Sequence, residues 1–463
     1  MARLSATLRS LTASRSRAGN LLLAGVVVVI VTGGVLRAQA IGGDKRVSAD
    51  EAGYAGDANR ILAHAPYASF KWAPGTPFVF AAVTRLSGHR SLKITSHARG
   101  PAQDTQLAIE VLTLVLIAVA AWSLAGGWAA LLAVALAATY LPLIFITRTY
   151  LSEPLGGFMF LAAVFAASRA RKRGAWAIAA AGVLAGVTCL ARNDLAIGMA
   201  VIALGLAFSG RPGWRVGLVR FLLFGACTLV TVTPWVIYAS SKQGRFVPIT
   251  TSGPNALFIG TYLPGHGEQF PTVKAFRGAV CRHEPIECSR FRAGYTAPMF
   301  RLIASRYPRD SESQAATKAA LENLRKYALG QPFSFAKMLW KKFWGMWGSP
   351  WSGGNSGLHP DTSRTQHLIY WALAVLGLLA GAISLRRWEL RTAALALLVV
   401  SALNTMFVAQ ARDNVRFMPL LFAYGAAGLC LLARERVLPM LRAARARRLS
   451  APTPTGPTGS PTP

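Results

Sequence analysis

The sequence predicts an all-α, polytopic membrane fold, on three observations. Of the 463 residues, 53% are hydrophobic, and the mean hydropathy is +0.38. The apolar residues fall in runs close to the ~20 residues an α-helix needs to cross a bilayer. Between the runs stand clusters of Lys and Arg, the pattern that the positive-inside rule produces. The net charge of +32 would by itself suit a nucleic-acid partner. Its distribution argues against one, because the charge lies between apolar runs, where anionic lipids and phosphates are the fitting partners.

The first run, 21–35, follows Arg3, Arg9, Arg15 and Arg17. It reads as a span with its basic end in the cytoplasm. Ala38-Gln39-Ala40 resembles a signal-peptidase site, but the run is long for a signal peptide, so an uncleaved anchor is expected. Residues 41–104 then form a first extracytoplasmic loop. Ser48-x-x-Glu51 is a capping box, so a helix should start there. Asp50, Tyr54 and Asp57 recur on one face of it. Lys71-Trp72-Ala73-Pro74-Gly75-Thr76-Pro77 breaks any helix. Residues 78–86 are apolar enough to lie along the interface, giving two short surface helices in this loop.

Further spans are expected at 105–125, 128–146, 155–167, 175–190, 195–208, 221–238, 368–385, 392–408 and 417–432, about ten in all. Glu110 alone interrupts the second. The chain thus divides into an N-terminal membrane module (1–240), an extracytoplasmic segment (241–367), C-terminal spans (368–433) and a tail (434–463) that is basic, then Pro/Thr/Gly-rich and disordered. Each connection assigned to the cytoplasm is a basic cluster, except the Gly126-Gly127 turn. The connections of mixed charge, Arg148/Glu153, Arg192/Asp194 and Arg412/Asp413/Arg416, fall on the opposite side with Asp50. Charges are costly at membrane depth, so their convergence on one face suggests a site.

In the long segment, Thr251-Ser252-Gly253-Pro254-Asn255 is turn chemistry, and 257–262 suits a short strand or a buried loop. Residues 310–329 have helical spacing. In 333–347 the aromatics Trp340, Phe343, Trp344 and Trp347 share a helix face flanked by Lys337 and Lys341, as in an interfacial amphipathic helix. Cys281 and Cys288 are expected to form a disulfide. A zinc site with His283, Glu284 and Glu287 is the weaker reading, because Cys-x6-Cys is not a usual zinc spacing.

No Walker loop, dinucleotide fingerprint, nucleophile elbow or zinc-protease motif is present. A membrane enzyme working outside the cytoplasm lacks nucleotide sugars, and a lipid-phosphate sugar would supply the donor within the bilayer. Such a reaction needs one carboxylate to take the acceptor's proton and cations to hold the departing phosphate. Asp50 fits the first role; Lys71, Arg148, Arg412 and Arg416 are candidates for the second. Glu51 is either a helix cap or a second catalytic acid.

These features resemble the C-type polytopic glycosyltransferases that use polyprenyl-phosphate sugars, the protein mannosyltransferases and aminoarabinose transferases among them. The resemblance rests on Asp50-Glu51 with Tyr54, the Lys71–Pro77 motif, Ser152-Glu153-Pro154, Gly253-Pro254-Asn255-Ala256-Leu257-Phe258-Ile259-Gly260 and Arg416-Phe417-Met418-Pro419. It implies sugar transfer with inversion to a glycan, lipid or protein hydroxyl, with Asp50 as catalytic acid and Tyr54, Glu153 and Asn255 near substrate. Together with the alternation of basic clusters, it gives a multi-pass plasma-membrane protein with both termini cytoplasmic as the expectation. Ala73-Pro74 stands where many members have Pro-Pro. No cofactor is expected, and the sequence offers no support for a divalent metal. A transporter or flippase would instead show repeated halves and broken mid-membrane helices. A non-catalytic envelope assembly protein would not need Asp50.

Overall fold

The computed structural model describes residues 17–41, 47–67, 70–94, 99–208, 213–283, 288, 296–351 and 360–441. Arg3, Arg9 and Arg15, the basic residues from 442 on, the tail 452–463, Glu284 and Glu287 lie outside them. Every element among the described residues is helical. In chain order they are α1 (Arg17–Ala40), α2 (Ala49–Leu62), α3 (Gly75–Leu86), α4 (Pro101–Ala125), α5 (Gly127–Thr139), α6 (Leu141–Ile146), α7 (Glu153–Ala170), α8 (Ala175–Ala191), α9 (Ala196–Phe208) and α10 (Trp214–Gln243). There follow α11 (Gly253–Thr261), α12 (Gln269–His283), α13 (Ala297–Ala304), α14 (Glu312–Asn323), α15 (Pro332–Trp347), α16 (Pro360–Ser384), α17 (Trp388–Met406), the short turn α18 (Arg412–Val415) and α19 (Met418–Leu432).

Six described helices are long and apolar enough to cross a membrane: α1, α4, α10, α16, α17 and α19 with its extension. Shorter apolar helices, α5, α8 and α9 among them, pack between these. The chain is thus an integral membrane protein. Side chains such as Val28, Val31, Val119, Leu229 and Leu376 point outward as a lipid-facing surface. The hub is α19, which packs on α16, α4, α5 and α7. Small residues allow this: a Cβ on Gly428 would stand 2.1 Å from the Gly377 carbonyl oxygen, so the two backbones nearly touch.

The expected third span is two helices, not one. Tyr140 is extended and Leu141 precedes Pro142, which disfavours helix there. The freed backbone groups are met internally, as a membrane requires. Arg37 donates to the carbonyls of Ala137 (3.0 Å) and Ala138 (3.3 Å) while pairing with Glu110 at 3.4 Å. Gln366 accepts from Leu141 N–H and donates to the Thr139 carbonyl. Glu110, the one charge in its apolar run, is therefore the counter-ion of a capping arginine.

Residues 257–262 are not a strand or a loop: they lie in α11 and its C-cap. Pro254 preorganises the first turn, and Phe258 packs against Tyr262, Phe276 and Phe300. This small core, completed by α13 and α14, builds the soluble part. Cys281 and Cys288 are joined by a disulfide in it. Lys342, on α15, is buried and donates to the carbonyls of Gly260 (2.9 Å) and Phe407 (2.5 Å), pinning the soluble part to the end of α17.

The basic clusters meet one another at one end of the bundle. Arg171 stacks on Trp388 at 5.6 Å, and Arg387 pairs with Glu435 at 2.6 Å. The mixed-charge connections meet at the other ends of the same helices.

Candidate active site

The capping box forms at the start of α2. Glu51 N–H donates to Ser48 Oγ, and the Glu51 carboxylate accepts from Ser48 N–H at 2.9 Å. Its other oxygen accepts from Tyr150 N–H at 2.9 Å, and the residue is buried. Backbone donors thus hold both carboxylate oxygens. Its neighbour Asp50 points elsewhere, with its side chain 33% exposed and Oδ2 2.8 Å from Arg412 Nη2. Burial pushes the Asp50 carboxyl up, but Arg412, Lys71 and the Trp72 indole outweigh this and hold it below its ordinary value.

Arg412 opens a network of alternating charge. Its Nε lies 2.9 Å from Glu153 Oε1, and the same oxygen accepts from Arg192 Nη1 at 2.9 Å. Arg192 Nε donates to Asp194 at 3.1 Å, and its Nη2 lies 3.7 Å from Asp413. Arg416, 1% exposed, pairs with Asp413 at 2.6 Å and with Asp194. Asp413 also accepts from Gln410 N–H, which fixes the loop before α18. Each buried charge meets an opposite one, without which its burial would cost several kcal/mol. Desolvation opposes the charge on Arg412, yet the acids around it, Glu153 first, raise its pKa, so it stays a cation.

Close approach of backbones makes the network possible. A Cβ on Gly156 would stand 2.8 Å from Arg192 Cδ, and one on Gly157 would stand 3.0 Å from the Arg416 carbonyl oxygen. Ser152-Glu153-Pro154 starts α7 with Glu153 in its first turn, where the helix dipole favours an acid. Tyr54 donates to or accepts from Ser152 Oγ at 2.8 Å, which also accepts from Arg192. Burial first pushes the Tyr54 hydroxyl up to about 12. Trp72 covers Gly53 and tilts against Tyr54 at 5.8 Å.

The expected site residues therefore divide. Asp50, Tyr54, Glu153, Arg412 and Arg416 share one network, with Arg416 at its buried end rather than facing a cavity. Lys71 is exposed, lies 4.9 Å over the Trp72 ring and acts electrostatically on Asp50. It follows Phe70, whose positive φ of 43° is held where its carbonyl accepts from Thr251 N–H at 2.7 Å. Arg148 packs over Phe145 at 5.4 Å; burial lowers its pKa and the Glu51 carboxylate opposes this. Glu51 is thus the acid that acts on it. Asn255 stands in α11 with Oδ1 buried and unpaired. Arg192, Asp194 and Asp413 belong to the same network, although no motif in the sequence assigns them a role. Their sequence signal was their place at the ends of apolar runs, on the same side as Asp50. Among the described residues no group of three His, Cys, Asp or Glu is placed to hold a metal ion.

Two cavities flank the network. One, of about 530 Å³, is apolar, lined by residues including Gly75, Phe78, Leu155, Ala191, Pro234 and Trp235. Leu155 and Ala191 are near neighbours in sequence of Glu153 and Arg192. The other, of about 320 Å³, lies towards the soluble part and is lined by residues including Asn193, Arg245, Thr250, Thr251, Gly253 and Ser313.

No family model matches the sequence, and no curated protein matches it. Solved structures do. The Archaeoglobus fulgidus oligosaccharyltransferase in its apo form aligns with a TM-score of 0.51 and 12% identity, over 92% of this chain and 52% of that one. The same archaeal enzyme, AglB, in complex with an inhibitory peptide and a dolichol-phosphate aligns at 0.51 and 13% identity, over 94% and 52%. ArnT from Cupriavidus metallidurans, bound to undecaprenyl phosphate, aligns at 0.39 and 15% identity, over 90% and 80%. This chain spans about half the length of the oligosaccharyltransferase. The likeness is one of fold: the chain is a polytopic, helical membrane protein that shares the fold of the archaeal oligosaccharyltransferase.

Proposed function

We propose that the protein is a glycosyltransferase that moves a hexosyl or pentosyl group from a polyprenyl-phosphate donor to an acceptor hydroxyl of a glycan, lipid or protein, at the extracytoplasmic face of the plasma membrane. The observation that carries this reading is the adjacency of an apolar cavity to an Asp50–Arg412–Glu153–Arg192 network. A long isoprenoid needs the first, and a sugar phosphate needs the second. The fold shared with a protein solved with dolichol-phosphate supports the same class of donor.

Asp50 would accept the proton of the acceptor hydroxyl as its oxygen attacks the anomeric carbon. The bond from that carbon to the phosphate oxygen breaks, and the phosphate leaves with the electron pair. Arg412 and Lys71 are the cations placed near Asp50 to stabilise it. Attack from the side opposite the phosphate inverts the anomeric centre. Donor would enter through the apolar cavity, and acceptor from the cavity towards the soluble part. Glu51 and Arg416 hold the loops of the site in place.

The test is transfer of labelled sugar from a synthetic polyprenyl phosphate by the purified protein in lipid. Asp50→Asn should lower kcat by about 10²–10⁴-fold with thermal unfolding unchanged. Wild-type levels of transfer by Asp50→Asn would remove the proposed base.

A further inference from the structure

A third recess lies between α15 and the head of α16. Its volume is about 270 Å³, and Trp340, Lys341, Trp344, Ser349 and Arg364 line it. The two indoles lie parallel, with centroids 6.1 Å apart and an interplanar angle of 5°. They are 64% and 48% exposed and form one stacked apolar surface. Lys341 and Arg364 are exposed too, and neither has a carboxylate partner among the described residues. Lys337, one turn back on α15, adds a third exposed cation.

The depth of the recess follows from α16. That helix runs Pro360–Ser384 and is apolar enough to cross a membrane; its unbroken apolar part begins at Leu368, so Arg364 stands one turn before it. Trp344 packs edge-on against Trp371, two turns further into it, at 5.8 Å. Ile369, Leu376 and Ile383 then expose apolar side chains along the helix. Cations therefore sit at headgroup level and aromatic rings just below, the vertical order of a phospholipid. The wall is held in place, because Asn414 donates to the carbonyls of Met346 (2.7 Å) and Ser349 (3.0 Å). A free anion would use the cations but leave the indole faces uncovered.

We infer that this recess binds an anionic glycerophospholipid of the surrounding bilayer, its phosphate between Lys341 and Arg364 and its glycerol and upper acyl chains on Trp340 and Trp344. The recess shares no lining residue with the apolar cavity beside the proposed active site. The inference does not rest on the reaction proposed above, and its test needs no activity.

The test titrates the delipidated full chain in detergent with phosphatidylglycerol, and with phosphatidylcholine as the neutral comparator, counting bound lipids by native mass spectrometry. One phosphatidylglycerol should bind in preference to phosphatidylcholine. The double variant Lys341→Ala/Arg364→Ala should bind it about thirtyfold more weakly, about fivefold per cation removed. Lys341→Arg/Arg364→Lys, which keeps both charges, should retain it. Equal binding of the two lipids overturns the inference, as does unchanged affinity in the alanine variant. Displacement by inorganic phosphate would mark a simple anion site instead. Displacement by undecaprenyl phosphate at equal concentration would mark a donor site, and either result also overturns it.

Discussion

Asp50 and Glu51 sit side by side in the first turn of α2 and end in different surroundings. Glu51 gives both oxygens to backbone N–H groups, whereas Asp50 faces Arg412 and stays part-exposed. A base must be ionised to work, and Asp50 is ionised above its folded pKa, which Arg412 and Lys71 hold low against burial. Activity is then lost only as pH falls through that lowered value. The acid limb of kcat/KM should lie below about pH 4, leaving the rate flat between about pH 5 and 7. A limb near pH 6 that disappears in Asp50→Asn would contradict this assignment of charge. Arg192 poses a different case, because it contacts Glu153, Asp194 and Asp413 at once. Arg192→Met should cost about 3–5 kcal/mol, since it breaks a buried pairing and leaves Arg412 and Arg416 alone to offset Asp50, Glu153, Asp194 and Asp413. Thermal unfolding in detergent measures it, and a shift within error would mean that the network contributes little to stability.

Among the elements, α15 joins the soluble part to the membrane helices. Of the aromatics expected on one face, Trp340 and Trp344 are exposed while Trp347 is buried against Trp371 and Phe417, and Lys342 turns inward. It bridges the Gly260 carbonyl of α11 and the Phe407 carbonyl after α17. Lys342→Met keeps the length of the side chain and leaves two carbonyls without their donor. It should destabilise the junction by about 1–3 kcal/mol. Faster hydrogen exchange at 258–262 and 404–408, with the membrane helices unchanged, is the expected sign; uniform exchange rates would show that the pin is dispensable. The break between α5 and α6 is of the same kind: Pro142 announces it, but only Arg37 and Gln366, from distant helices, make it tolerable in a membrane.

For the whole molecule, one face gathers the mixed charges and the other the basic clusters. From the positive-inside rule we propose that the basic end faces the cytoplasm and that Asp50, with the Cys281–Cys288 disulfide, lies outside. In intact cells, a membrane-impermeant maleimide should label Cys281 and Cys288 only after an impermeant reductant. Labelling without reductant would break the disulfide assignment, and labelling only after lysis would invert the topology.

Hydropathy and charge clusters alone determined the class of fold, the positions of most helices and the face on which polar residues meet. These are local and periodic properties, set by bilayer thickness and by the cost of moving charge through it. The capping box of α2 was legible for the same reason, since it needs only residues three apart. Which residue of that box is free to act was not legible. That depends on Tyr150, 99 residues away from Glu51, and on Arg412, 362 away from Asp50. The same holds for α11, whose short apolar run suits a strand until Phe258 finds its partners. Burial and pairing depend on contacts between segments distant in the chain, and periodicity carries no record of them. The tertiary structure therefore decided which charged groups became struts and which acid was left facing a solvent-reachable cation.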